Sequence, residues 1–141
     1  MVRFSFFIVF ILIAGCVSIL LTGCATTGGN TTPYVGALQH GLASWYGSEQ
    51  GHYTASGERF NPNALTAAHR HLPFGSVVRV TNELNGRSVD VRINDRGPYA
   101  GNERIIDVTS AAADVLQMKR TGTVPIELEV LSVGTETYHH N

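Results

Sequence analysis

The sequence predicts a mainly β domain, a small closed barrel carrying one or two short helices. Short β-branched segments of period two recur between turn residues, as half-buried strands require. An Asn85-Gly86 pair sits between two such segments and marks a tight hairpin. The helical stretches are too few and too short to cover both faces of a parallel sheet, so a closed barrel is the consistent alternative.

Taken in order, Leu42, Ala43, Ser44, Trp45 and Tyr46 read as a short strand, followed by a polar, Gly-rich loop through Gly57. Residues 63–70, with Pro62 before them and Pro73 after, read as a short helical or turn segment. Residues 76–81 and 87–93 flank the Asn85-Gly86 turn and form the clearest hairpin, with Val78, Val80, Val89, Val91 and Ile93 facing the core. Residues 104–108 make another short strand. Thr109 and Ser110 are then placed to cap an Ala-rich helix running through Met118. Residues 124–131 alternate again as a final strand, and the tail after Gly134 is polar.

The N-terminus reads differently. Arg3 supplies a positive charge, and residues 4–23 carry no charged side chain, the pattern of an export signal. Both cysteines, Cys16 and Cys24, fall in or beside this segment, which leaves the body of the chain without a disulfide. Leu21-Thr22-Gly23-Cys24 resembles the lipobox of bacterial lipoproteins, with Cys24 as the lipid-bearing residue. Ile13-Ala14-Gly15-Cys16 is the weaker candidate, because apolar and small residues continue after it. An uncleaved membrane helix and plain secretion are the alternatives, since an apolar run of roughly 18–20 residues can span a bilayer. Residues 25–38 are rich in Thr and Gly and read as a flexible linker. The expected organisation is a lipoprotein signal over 1–23, a tether over 24–38, the barrel over 39–133 and a tail over 134–141. Ala25 after the lipidated cysteine carries no retention signal of the Asp type, so the expected place is the outer membrane, facing the periplasm.

Ten Lys and Arg against eleven Asp and Glu give a formal net charge of −1, with the signs mixed along the chain. No basic patch stands out to neutralise phosphates, which argues against a nucleic-acid partner. The densest polar cluster joins residues 56–60, 67–70 and 94–99. Asp95 ends a strand where Gly97-Pro98 turns the chain, a place where sites are commonly built and where a turn-forming Asp is equally at home. Glu58, His69 and Asp95 could form an acid–base group for glycosidic cleavage. Hydrolysis would need a second carboxylate, whereas a transglycosylase uses the sugar's own hydroxyl; the residues alone leave both open. Trp45, Tyr46, Tyr53 and Tyr99 offer flat faces for sugar rings, although Trp45 reads equally as a core or groove-wall residue. His52, His69 and His71 lack the companions of a zinc site, so neither metal nor cofactor is expected.

Four ordered blocks, at 41–47, 54–82, 89–99 and 104–116, closely resemble the rare lipoprotein A family. The resemblance implies a six-stranded double-psi β-barrel, shared with the expansins, and lytic transglycosylase activity on peptidoglycan. Such enzymes cleave between N-acetylmuramic acid and N-acetylglucosamine and leave 1,6-anhydro ends. Asp95 matches the catalytic acid, and Glu58 and His69 match residues that assist it. Asp107, in the 104–116 block, matches a motif position beside the groove and is expected to contact glycan or support structure; Arg96 and Tyr99, in the same block as Asp95, are expected to bind substrate. A non-catalytic, expansin-like glycan binder is the alternative. Many members carry a further glycan-binding repeat after the barrel that directs them to the septum; no such repeat follows here, so septal targeting is not expected from this sequence. A monomer is expected.

Overall fold

The computed structural model describes residues 35–47 and 53–135. The expected signal segment, Cys16, Cys24 and most of the tether lie outside the described residues, as does His52.

Among the described residues, six strands and one helix follow in order: β1 (Leu38–Tyr46), β2 (Thr66–His69), β3 (Val77–Asn82), β4 (Ser88–Asp95), β5 (Arg104–Thr109), α1 (Ser110–Val115) and β6 (Val124–Ser132). The strands close into a barrel in the order β1-β5-β2-β4-β3-β6. β1 with β5 and β2 with β4 are parallel, and the remaining pairs are antiparallel. Inside, Val78, Val80, Val91, Ile93, Ile106, Val108, Ile126, Leu128 and Val130 are fully buried. Alternation along β3, β4 and β6 supplies this core, since a period of two sends every second side chain inward.

The predicted hairpin forms as β3 and β4. Gly86 takes φ 71° in its turn, and its N–H reaches the Asn82 carbonyl at 2.8 Å. Asn82 is nearly inaccessible and works as a knot: its Nδ2 donates to Leu116 O at 3.1 Å, and its Oδ1 accepts from Leu84 N at 2.9 Å. Asn82→Ala should cost about 1–3 kcal/mol, because the two hydrogen bonds of this buried side chain, to Leu116 O and from Leu84 N, are lost together. A lowered urea midpoint with an unchanged slope would register it.

Three expectations are corrected. The 63–70 segment is not helical: after a turn over 62–63 it extends as β2, wedged between β4 and β5 with all four residues buried. A strand covered on both faces has no alternation to display, which is why Thr66-Ala67-Ala68-His69 reads as featureless. Thr109 does not cap the helix through its side chain; its hydroxyl donates to Ala64 O at 2.6 Å and ties the helix start to the chain before β2. The helix also stops at Val115, and Gln117 turns into the left-handed region at φ 52°. Finally, β1 is longer than the Leu42–Tyr46 core of the motif, beginning at Leu38, and Gly36 and Ala37 already exchange hydrogen bonds with Val130.

Candidate active site

Registration across four strands builds the site. Asp95 on β4 lies opposite Ala68 on β2, Ala68 opposite Asp107 on β5, and Asp107 opposite Ser44 on β1. This transverse row runs beneath a cavity of about 340 Å³ lined by those four residues with Trp45, Tyr46, Arg96, Gly97, Pro98, Tyr99, Ala100 and Arg104. The small Ala68 at the middle of the row leaves space between the two carboxylates.

Asp95 is held by its backbone surroundings. Its Oδ1 accepts from Ala55 N and from Arg96 N, each at 2.8 Å. Its Oδ2 accepts no hydrogen bond among the described residues. Directly after it, Gly97 takes φ 136°, a conformation that L side chains rarely adopt, and turns the chain along the cavity wall. Asp107 is tethered by the Ser44 hydroxyl, which donates to its Oδ1; Arg104 Nη1 in turn donates to Ser44 Oγ at 3.1 Å.

Glu58 does not line the cavity. Its carboxylate forms a two-pronged pair with Arg92, at 2.5 and 2.9 Å, and accepts from Asn94 Nδ2 at 3.2 Å. The Arg92 hydrogen bonds, opposed by partial burial and aided by Asn94, hold Glu58 below the usual carboxylate range. That pairing fixes the 54–58 loop onto β4: Thr54 N donates to Glu58 O, Ser56 N to Asn94 O, and Ala55 N reaches Asp95.

His69 is also outside the cavity and nearly fully buried. Its Nδ1 accepts from His71 N at 3.1 Å and Leu72 N at 3.0 Å, so the neutral ring carries its proton on Nε2, toward Gln39 Oε1 at 3.3 Å. Burial, with the charges of His71, Arg96 and Arg70 in support, pushes it down to about 4. The turn it organises is used by Arg96, whose Nη1 donates to His69 O at 3.3 Å and Leu72 O at 2.9 Å while its guanidinium lies 3.7 Å from the Phe74 ring centre. Arg70 reciprocates from that turn, donating to Pro98 O at 2.5 Å, Gly101 O at 3.0 Å and Arg104 O at 3.1 Å. The two arginines thus clasp the 96–104 loop from both sides.

Of the sequence-predicted residues, Asp95, Asp107, Trp45, Tyr46, Arg96 and Tyr99 meet at the cavity; Glu58, His69 and Tyr53 do not. Tyr46 lines the cavity as a largely buried wall residue: only 9% exposed, its ring packs on Phe60 with centres 5.3 Å apart. Tyr99 is 80% exposed at the rim, and Tyr53, 70% exposed, sits away from it in an isolated bridge with Arg59. Trp45 is partly buried, with Lys119 Nζ 5.6 Å from its ring centre. Ser44 and Arg104 were not singled out by sequence, and Ala68 and Arg70 only as members of the 67–70 cluster; Ser44 shares a strand face with Tyr46, whereas Arg104 carries no local signal.

A closed six-stranded barrel with two parallel and four antiparallel strand pairs and a carboxylate-lined cavity defines a double-psi β-barrel. Solved structures of the same fold include the Streptomyces papain inhibitor, at TM-score 0.55 and 22% identity over 69% of this chain and 96% of that one. An expansin from Clavibacter michiganensis matches at TM-score 0.55 and 19% identity, over 70% of this chain and 52% of that one. Residues 38–128 match the family described as lytic transglycolase, and the chain belongs to that family. Relatives named endolytic peptidoglycan transglycosylase RlpA are 46% identical in Campylobacter jejuni, over 79% of this chain and 40% of that protein, and 54% identical in Neisseria meningitidis, over 68% and 40%. A third, from Rickettsia felis, is 47% identical over 72% of this chain and 46% of that protein. The chain thus spans less than half the length of these curated relatives.

Proposed function

We propose that this domain is an endolytic peptidoglycan lytic transglycosylase with Asp95 as its single acid and base. The observation that carries the reading is the asymmetry of Asp95: Oδ1 is fixed by backbone N–H groups, while Oδ2 has no partner among the described residues and belongs to a cavity-lining side chain. In the first step the proton on Oδ2 passes to the glycosidic oxygen between N-acetylmuramic acid and N-acetylglucosamine, and the bond from that oxygen to the muramic anomeric carbon breaks. In the second, the muramic 6-hydroxyl oxygen bonds to the same carbon and returns its proton to Oδ2. The product is a 1,6-anhydro end, and Asp95 regains its starting state without a water.

Glu58 and His69 serve as positioning residues in this scheme. Glu58 anchors the loop that brings Ala55 N–H to Asp95, and His69 shapes the turn that holds Arg96. Glu58→Gln weakens the Arg92 pair and should lower turnover by up to about 10²-fold, the scale expected of a small misplacement of a catalytic group. Arg92→Ala should reproduce most of that loss, and single-turnover assays on purified sacculi would measure both.

The exposed Tyr99 ring is suited to stack on a sugar, with Trp45 and Asp107 contacting the strand further along the cavity. Anchoring through Cys24, a signal over 1–23, a tether over 24–38, residence at the outer membrane and a monomeric state complete the proposal. The lipobox-like Leu21-Thr22-Gly23-Cys24 supports the first of these.

Sacculi, intact or stripped of peptides by an amidase, give the test. Mass spectrometry should find anhydro-ended fragments after incubation with the full chain. Reducing ends in their place would mean hydrolysis, and binding without fragments would mean a glycan-binding module.

A further inference from the structure

Among the described residues of the cavity wall, only Tyr46 has a side-chain polar atom that is buried and left without a partner. Its hydroxyl is inaccessible and makes no hydrogen bond. Leaving a buried hydroxyl unpaired costs about 1–3 kcal/mol, so a retained one calls for an explanation. The ring itself is well accommodated against Phe60, and a phenylalanine would fill the same space without that cost.

The cavity offers the complementary orphan. Asp95 Oδ1 is saturated by backbone donors, and Oδ2 accepts nothing among the described residues. Of the other polar groups on the wall, Ser44 is committed to Asp107 Oδ1, Arg104 to Ser44 and Ala100 O, and Arg96 to the 69–72 turn. Asp107 Oδ2 is a second acceptor on this wall, but of the two carboxylates Asp95 bears more strongly on the Tyr46 hydroxyl. We infer that the Tyr46 hydroxyl is the donor reserved for Asp95 Oδ2, positioning the acid and receiving its carboxylate as the proton leaves.

Burial, with the charges of Asp95 and Asp107 adding to it, holds the phenol well above its ordinary range, so it stays a donor at every pH at which the wall exists. The charged and titratable groups that line the same cavity are Asp107 and Arg104 from β5, Asp95 at the end of β4, and Arg96 and Tyr99 from the loop beyond. No proton is transferred from Tyr46 in the cycle. The O–H swings onto Oδ2 once that oxygen has given its proton to the leaving sugar, and swings away when the 6-hydroxyl returns one. A donor that binds only the ionised form lowers the barrier to proton donation, because the interaction grows as the transition state is approached.

The inference rests on Asp95 being the acid, but its test does not require activity. The Asp95 carboxyl is titrated by ¹³C NMR in the full chain and in Tyr46→Phe, with the signal assigned through Asp95→Asn. Loss of the donor should raise the Asp95 midpoint by about one unit, the size of shift that a single hydrogen bond to the charged form supports. An unchanged midpoint in folded Tyr46→Phe overturns the inference. Should Tyr46→Phe not fold, 3-fluorotyrosine placed at position 46 keeps the shape and strengthens the donor; it should move the midpoint down, and no movement is equally fatal. On sacculi, Tyr46→Phe should lose about tenfold in turnover with KM nearly unchanged and the basic limb of the profile moved upward. If Asp95→Asn releases the same products as the native chain while the midpoint shift is seen, the pairing stands and the acid has been misassigned.

Discussion

Asp95→Asn should abolish the release of anhydro-ended fragments from sacculi while leaving the barrel folded. Asparagine keeps the size of the side chain, and its carbonyl oxygen can still accept from Ala55 N and Arg96 N, so the turn at Gly97-Pro98 retains its supports. What disappears is the carboxyl group that, in the proposed scheme, gives a proton to the glycosidic oxygen and takes one back. General acid–base catalysis contributes about 10²–10⁴-fold, and Asp95 serves both half-reactions, so the loss should lie at the upper end of that range or beyond. Glycan binding should survive, since Trp45, Tyr99 and Asp107 are untouched. Mass spectrometry of the digest reads the first outcome and cosedimentation with sacculi the second. Undiminished products from the variant would remove Asp95 from its role.

The second large effect is a loss of stability in mild acid. His69 is neutral in the fold, with Nδ1 accepting from His71 N and Leu72 N, and its midpoint drops from 6.5 to about 4 on folding. Between those values the unfolded chain binds the proton and the folded chain does not. Stability is therefore complete above about 6.5 and declines as pH falls toward 4, by about 3 kcal/mol across the window. Glu58 acts in the same direction at lower pH. Its carboxylate is held below its ordinary range, so the Arg92 pair persists through that range and is lost only as pH falls through the depressed value. Urea midpoints measured from pH 7.5 to 4 should follow a falling curve. His69→Asn, whose side-chain oxygen can replace Nδ1 as acceptor, should flatten it; a curve of unchanged slope would place the acid sensitivity elsewhere.

Local patterning revealed the parts of the fold that alternate. Residues 76–81 and 87–93 face the core on one side and solvent on the other, so their period of two is visible and the hairpin could be read with its turn. β2 could not, because four buried residues in a row carry no phase. The helix was recognisable by its alanines, but its end was not, since the left-handed Gln117 is an unusual residue for that conformation. At the site, Asp95 was marked by the turn that follows it. Glu58, His69 and Asp95 looked like one acid–base group because all three are polar and titratable; in the structure, Arg92 and the 69–72 backbone claim the first two. Ser44 and Arg104 reach the cavity only through the pairing of β1 with β5, a juxtaposition of distant segments that no local pattern encodes.

The closed ring has a further consequence for how the domain can meet other proteins. Among the described residues each strand has a neighbour on either side, so no strand presents a full-length edge of free backbone N–H and C=O groups to another chain. Recruitment by β-augmentation, a common way for extended peptides to dock on sheet proteins, finds no open sheet edge among the described strands. A partner in the envelope must therefore be recognised through side chains and connecting loops, which makes its binding separable by point mutation from the integrity of the fold.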